Sequence, residues 1–361
     1  MIASGPTASP ARIPRSVIIV TAIAITLAVF LLLLAVSGGN VGVAARAMGR
    51  GAFGSRYALF SATLVRAVPL ILTGLAVAWA FSAGVFNIGV EGQFLVGASA
   101  ATATALAFPS GGLLSLAAAM VAGATAGAAW AGIAAWLRVR FAVLEVISTI
   151  MLNFLALQLL SYLVHGPLGD PGGIYPQSPA LPSSMWLPRI IPNTRLHFGF
   201  VIALIACASA WFVKTRTAAG FRLRLVGANP HAARIAGRVS VERVTTTAFL
   251  VSGGIAGLAG AVEVTGVTYA LYESISPGYG YTAIAVALLA NLNPAAVIVS
   301  GVGFGALEAG AAAMQRDAGV PIVVASVVEA LIILVLATAQ RRRWFADDSV
   351  IVTAVASPES A

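Results

Sequence analysis

The sequence predicts an all-α protein, a polytopic transmembrane helical bundle of about ten spans, some of them discontinuous or re-entrant. Three observations lead there. Of 361 residues, 59% are hydrophobic and 9% charged, against about a quarter charged in a water-soluble domain. The mean hydropathy is +0.95, carried by apolar runs of roughly 20 residues, the length at which a helix crosses about 30 Å of hydrocarbon. Backbone polar groups in lipid must be satisfied internally, by helices or a closed barrel, and these runs are too long for barrel strands. The 37 Gly and the many Ala suit helices that pack closely through small residues.

Residues 1–16 are polar, Pro-rich and basic through Arg12 and Arg15. The apolar run 17–36 that follows exceeds a signal-peptide core, so it is read as a retained first helix with its amino end in the cytoplasm. Further spans are expected at 61–81, 88–108, 113–137, 142–164, 198–213, 244–267, 282–290, 295–314 and 321–339. The run at 282–290 is too short to cross alone. It reads as a half-helix, a re-entrant piece, or the end of a longer span that takes in the Tyr-rich segment before it. The organisation is a cytoplasmic tail (1–16), a membrane domain (17–339) with an outer loop (165–197) and a cytoplasmic loop (214–243), and a second cytoplasmic tail (340–361).

Charge tests this layout independently. The net charge of +9 would point to nucleic acid in a soluble protein, but no aromatic side chains interleave with the basic residues to stack bases. Alternating the spans instead puts Arg138, Arg140, the 214–243 loop and the basic run 341–343 on the cytoplasmic face, as the positive-inside rule requires. Arg46, Arg50 and Arg56 fall outside on this scheme, in a solvated connection or an interfacial helix. Cys207 lies within an apolar run, which excludes a disulfide framework and a Cys-based metal site. His165, His197 and His231 are scattered over loops, and no Gly-rich loop followed by Lys and Ser or Thr is present to hold ATP. No metal or cofactor is therefore expected in this chain, and energy must come from an ion gradient or a partner.

Carboxylates at membrane depth cost a few kcal/mol and need a partner, an aqueous cavity or an interface. Glu91, Glu145, Glu263, Glu308 and Glu329 are the candidates. Each is a proton-relay or solute-binding group on one reading, and a helix-end or Arg-paired residue on the other; Arg138 and Arg140 favour the second for Glu145. Glu91 sits in the segment 84–93, where Asn87, Gln93 and three Gly interrupt an apolar stretch. A helix starting near Ile88 would present free N–H groups at its first turn. A discontinuous helix beside a water-filled path and a tight turn docked on a neighbour both satisfy that pattern. Tyr269, Tyr272, Tyr279 and Tyr281, with Pro277, Gly278 and Gly280, suit either an interfacial aromatic belt or stacking on a planar solute. Gly pairs at 123 and 127, 253 and 257, and 301 and 305 read as close helix packing.

These residues resemble a known group, the ABC-importer permeases of the branched-chain amino acid, ribose and nucleoside class, and within it the nucleoside branch that works with basic-membrane-lipoprotein binding proteins. The resemblance rests on Phe86-Asn87-Ile88-Gly89-Val90-Glu91-Gly92-Gln93, on Gly166-Pro167-Leu168-Gly169-Asp170-Pro171-Gly172-Gly173 leading to Gln177-Ser178-Pro179, and on Gly278-Tyr279-Gly280-Tyr281. A fourth stretch, Gly227-Ala228-Asn229-Pro230-His231-Ala232-Ala233-Arg234-Ile235-Ala236-Gly237, is similar to the segment such permeases dock onto the ATPase. Its residues also read as a short helix begun by Asn229 and Pro230 and ended by Gly237. The chain departs from the family at Ala290-Asn291-Leu292-Asn293-Pro294 and at Glu329, which bears on the solute more than on the class.

The resemblance implies a pore-forming subunit in the bacterial inner membrane, without an ATPase site, importing nucleosides by alternating access. ATP and Mg would be held by a separate ABC ATPase subunit. The other implied partners are a second homologous permease, forming a heterodimer, an extracytoplasmic substrate-binding lipoprotein and membrane lipid. It implies a solute pathway past Asn87, Glu91, Gln93, Tyr279 and Tyr281, and coupling through Gly227, Asn229, Pro230, Ala232, Ala233 and Gly237. A simple sugar or vitamin permease is the alternative within the class. A proton-coupled secondary transporter working through Glu91 or Glu308 is the alternative outside it.

Overall fold

The computed structural model describes residues 40–109, 112–235 and 239–321, with isolated positions at 28, 32, 323, 324, 327 and 330. The expected spans 17–36 and 321–339, both tails, Gly237 and Glu329 lie outside the described residues, save for those isolated positions. Among the described residues there is no strand, and β-pairing amounts to two isolated bridges. Six helices are long and apolar enough to cross a membrane: Ala58–Ser82, Gly112–Phe141, Glu145–His165, Gly199–Arg216, Val241–Thr268 and Pro294–Ala318, with a shorter apolar helix at Tyr279–Leu289. The expected 88–108 span is an 18-residue helix, Val90–Ala107, whose first turn carries Glu91 and Gln93. Eight of the ten expected spans fall on described residues: six are helices of that kind, and the other two are Val90–Ala107 and the short Tyr279–Leu289.

The first helix, α1 (Val41–Phe53), is capped by Asn40, whose Oδ1 accepts from Gly42 N at 2.9 Å and Val43 N at 3.1 Å. At 13 residues it is about 20 Å long, too short to span. It buries Ala44, Ala47 and Ala52 and leaves Arg46 and Arg50 in solvent, so the sequence's unexplained basic stretch is largely an amphipathic helix. A π-turn (Ala58–Thr63) then leads into α2 (Leu64–Ser82). Leu70, Ile71, Leu72 and Leu75 of α2 are fully buried; a helix apolar on every side belongs at the centre of a bundle.

Three helices cross beside it: α3 (Val90–Ala107), α4 (Gly112–Phe141) and α9 (Val241–Glu263). Their contact is made of Gly97, Gly123, Gly127, Gly253, Gly257 and Gly260. A Cβ on Gly257 would run into the Gly123 carbonyl, one on Gly127 into that of Gly253, and one on Gly260 into that of Phe94. Gly301 and Gly305 do the same for α11 (Pro294–Ala318) against Ile71 and Ala67 of α2. At the periphery, α5 (Glu145–His165) and α6 (Gly199–Arg216) expose Phe154, Leu155, Ile205 and Phe212, as a lipid-facing surface requires. Cys207 fills space inside α6.

The bundle has two distinct ends. Arg195 N donates to Ser61 Oγ at 3.0 Å and Thr63 Oγ1 to Ala52 O at 2.7 Å, which puts α1, the start of α2 and the 166–197 segment together. That segment is also tied to the stretch after α9, through Ser178 N to Leu271 O at 2.8 Å, Leu181 N to Tyr269 O at 2.8 Å and Trp186 stacked on Tyr269 at 4.2 Å. At the opposite end Arg138 pairs with Glu145 at 2.6 Å. Here α7 (Ala218–Ala228) and α8 (Pro230–Ile235) follow α6. The stretch 218–228, read from sequence as loop, is a helix, and α10 (Tyr279–Leu289) starts three residues before its expected apolar run.

Candidate functional site

The turn between α2 and α3 is buried and turns its polar groups inward. Asn87, with no exposed surface, donates through Nδ2 to Gln93 Oε1 at 3.0 Å and Ser252 Oγ at 2.9 Å. Its Oδ1 accepts from Gln93 Nε2 and Gly89 N, both at 3.0 Å. Those four bonds fill an amide's capacity of two donors and two acceptor sites. Ser252 passes the chain on to Ala76 O at 2.7 Å. Asn153 of α5 accepts from Gly92 N at 2.8 Å and donates to Ile88 O at 2.9 Å. Of the N–H groups at the start of α3, those of Gly89, Gly92 and Gln93 are thus satisfied within the protein, as a dry interior demands.

Glu91 then joins two interrupted helices. Its Oε2 accepts from Gly280 N at 2.7 Å, in the first turn of α10, where free N–H groups and the helix dipole favour a carboxylate. Ser276 Oγ accepts from Gly278 N and Tyr279 N, both at 3.1 Å, completing that cap. Gly278 takes φ 100°, and a Cβ on Gly280 would strike the backbone of Glu91. Phe94 meets Tyr279 edge-on at 5.7 Å. The geometry is that of a docked turn joined to the N-terminus of a half-helix.

On the other side of Tyr279 lies a cavity of about 500 Å³ between α2, α9, α10 and α11. Its walls include Arg66, Glu263, Tyr272, Tyr279, Thr282 and Glu308. Of the five expected pathway residues, Tyr279 lines this cavity. Asn87 and Gln93 are almost wholly buried in mutual hydrogen bonds, Glu91 is buried against Gly280 N, and Tyr281 is 42% exposed; none of these four lines the cavity. Glu263 and Glu308 stood out in the sequence as carboxylates at membrane depth. Arg66 did not, although a basic residue five positions inside the expected 61–81 span was the available signal. His197 packs against Gly199 and Gly266 where the 166–197 segment meets α6 and α9, and burial pushes its imidazole down to about 4.

The coupling residues gather at the opposite end. Thr217 caps α7, accepting from Gly220 N at 3.2 Å, and Asn229 caps α8, accepting from Ala232 N at 2.9 Å. Ala233 is fully buried and Ile235 is 86% exposed. A Cβ on Gly227 would meet the Ser82 carbonyl, and Gly84, at φ 71°, lies against Gly227. Lys214 Nζ donates to Ser82 Oγ at 2.7 Å and Leu292 O at 2.5 Å. The α7–α8 hook therefore touches the end of α2 and the first residue of the interrupted 84–93 segment, while Lys214 ties the end of α2 to the turn after α10.

Residues 59–337 match the family described as branched-chain amino acid transport system / permease component. The chain is 39% identical over 338 residues to the guanosine ABC transporter permease protein NupP of Bacillus subtilis, covering 92% of this chain and 96% of that one. It is 39% identical over 289 residues to the glucose ABC transporter permease protein TsgB13 of Haloferax volcanii, covering 77% and 75%. To the nucleoside ABC transporter permease protein NupB of Lactococcus lactis it is 33% identical over 286 residues, covering 76% and 78%. No solved structure matches. A bundle of membrane-spanning helices, two of them interrupted at a shared buried junction, and a family match over most of its length lead to one conclusion: the chain belongs to the branched-chain amino acid transport system permease family, as a multi-pass membrane component of a transporter.

Proposed function

We propose that the chain is a pore-forming permease subunit of an ATP-driven importer for nucleosides, moving its solute by alternating access driven by a separate ATPase. The observation that carries the coupling role is the α7–α8 hook. It holds Gly227 against the backbone of Ser82 and leaves Ile235 bare. An apolar side chain 86% exposed on a surface otherwise rich in Arg fits a knob for a protein partner. A push on α8 passes through Gly227 to α2 and the 84–93 turn, and through the Glu91 carboxylate to the half-helix α10. Nucleosides are the preferred solute because the relative sharing nearly its whole length with this chain is named for guanosine, and a second is named for nucleosides.

The complete assembly would hold a second homologous permease in a heterodimer, an ABC ATPase subunit that binds ATP and Mg, and an extracytoplasmic substrate-binding lipoprotein. The Lys214 end would face the cytoplasm of a bacterium, with both termini on that side. Ten spans follow if 17–36 and 321–339 each cross, joining the six long helices, α3 and the half-helix α10. The hook is tested by Ile235→Asp, a change at an exposed site that leaves packing alone, alongside Ala233→Trp, which overfills a buried one. In cells expressing the whole transporter, Ile235→Asp should cut labelled guanosine uptake about tenfold or more, the equivalent of roughly 1.4 kcal/mol of lost docking. Its abundance in the membrane should not change. Uptake at the unsubstituted level would reject the coupling role.

A further inference from the structure

The cavity beside Tyr279 carries charge that coupling does not use. Glu263 is 4% exposed, lies on the cavity wall, and accepts no hydrogen bond from any described residue. A carboxyl group at membrane depth is costly, and its oxygens accept hydrogen bonds, so with no protein donor they call for donors from whatever enters. The same wall offers Glu308 and Arg66, the hydroxyls of Thr282, Tyr272 and Tyr279, and the tyrosine rings. A ring carrying several hydroxyls supplies the missing donors. The volume of about 500 Å³ lies within the range of roughly 300–1,000 Å³ usual for small-molecule sites.

We propose that this cavity is the station that holds the sugar ring of the solute, Glu263 accepting from two ring hydroxyls while Glu308 and Arg66 complete the polar wall and Tyr272 and Tyr279 offer flat faces. The assignment rests on the nucleoside-importer reading. It also accounts for relatives named for guanosine and for glucose, since a polyhydroxylated ring is what those two solutes share.

The test compares guanosine with 2′,3′-dideoxyguanosine as solutes of the whole transporter, using the unsubstituted chain and Glu263→Gln. Because the same binding protein serves both chains, the change in preference between them belongs to this subunit. Glu263→Gln keeps one accepting oxygen of two, and should lower kcat/KM for guanosine about tenfold and leave that for the dideoxy compound within about twofold. An equal fall for both solutes, or no fall for either, overturns the site. Should Glu263→Gln fail to assemble, Thr282→Cys in a Cys207→Ala background decides the matter. Guanosine should slow its modification by a thiol reagent at lower concentration than the dideoxy compound does, and equal or absent protection overturns the site. An unsubstituted transporter that imports neither nucleoside overturns the proposed function, and this site with it.

Discussion

Glu91 has a carboxylate where lipid should be, and its neighbours decide what it does there. It closes the N-terminus of α10 by accepting from Gly280 N, a structural duty that an amide oxygen also performs. Glu91→Gln should therefore keep guanosine uptake near the unsubstituted level, whereas Glu91→Ala leaves a buried N–H unpaired at about 1–3 kcal/mol. The Ala variant should show a lower melting temperature in detergent and reduced uptake together. Loss of uptake in a Glu91→Gln protein of normal thermal stability would instead point to a proton carried at this site. At this scale the sequence displayed the polar groups but hid their purpose. Asn87 and Gln93 were conspicuous as interruptions of an apolar run, yet Ser252 lies 165 residues from Asn87 and Asn153 lies 65 from Ile88. Nothing local marks those two as the acceptors and donors that close the network.

Between helices, the arrangement depends on backbone meeting backbone. Where α3, α4 and α9 cross, the glycines let carbonyls lie in the space a methyl group would take, the close approach that substitutes for hydrophobic packing in lipid. Gly257→Ala should cost at least about 1–3 kcal/mol by overpacking. Gly303→Ala, on α11 with nothing within 4 Å of the added methyl, should cost nothing measurable. Size-exclusion profiles and melting temperatures of the two purified variants check the contrast; equal behaviour would mean the crossing is looser than drawn. The positions of the spans were legible because crossing lipid constrains composition over 20 residues at a time. The Gly spacings were legible for the same reason, as a stripe along one face. Two features escaped. Helix α7 reads as loop because Gly220, Arg222 and Arg224 break its apolar pattern, though packing buries Gly220, Leu223 and Val226. The start of α10 was hidden because Tyr279 and Gly280 look like loop residues until Glu91 and Ser276 supply the cap.

For the molecule as a whole, orientation is the property on which transport direction depends. Among the described residues the basic side chains divide almost evenly between the ends: Arg138, Arg140, Lys214, Arg216, Arg222, Arg224, Arg234 and Arg243 at one, and Arg46, Arg50, Arg56, Arg66, Arg189, Arg195 and Arg316 at the other. On the proposed topology the imbalance would come from positions 12, 15, 238 and 341–343, and from placement, because short loops near span ends count most. Arg66 faces a cavity, and Arg46 and Arg50 ride on a surface helix held to α11 through Gly51 and Gly310, so neither set acts as a simple loop charge. On the proposed function the Lys214 end would face the cytoplasm. Single cysteines settle it, since the native Cys207 is buried and can be replaced by Ala as background. Arg50→Cys should react with a membrane-impermeant maleimide added to intact cells, and Ile235→Cys should react only after permeabilisation. The reverse pattern would place the hook away from ATP, leaving the ATPase nothing to push and an ion gradient as the remaining source of drive.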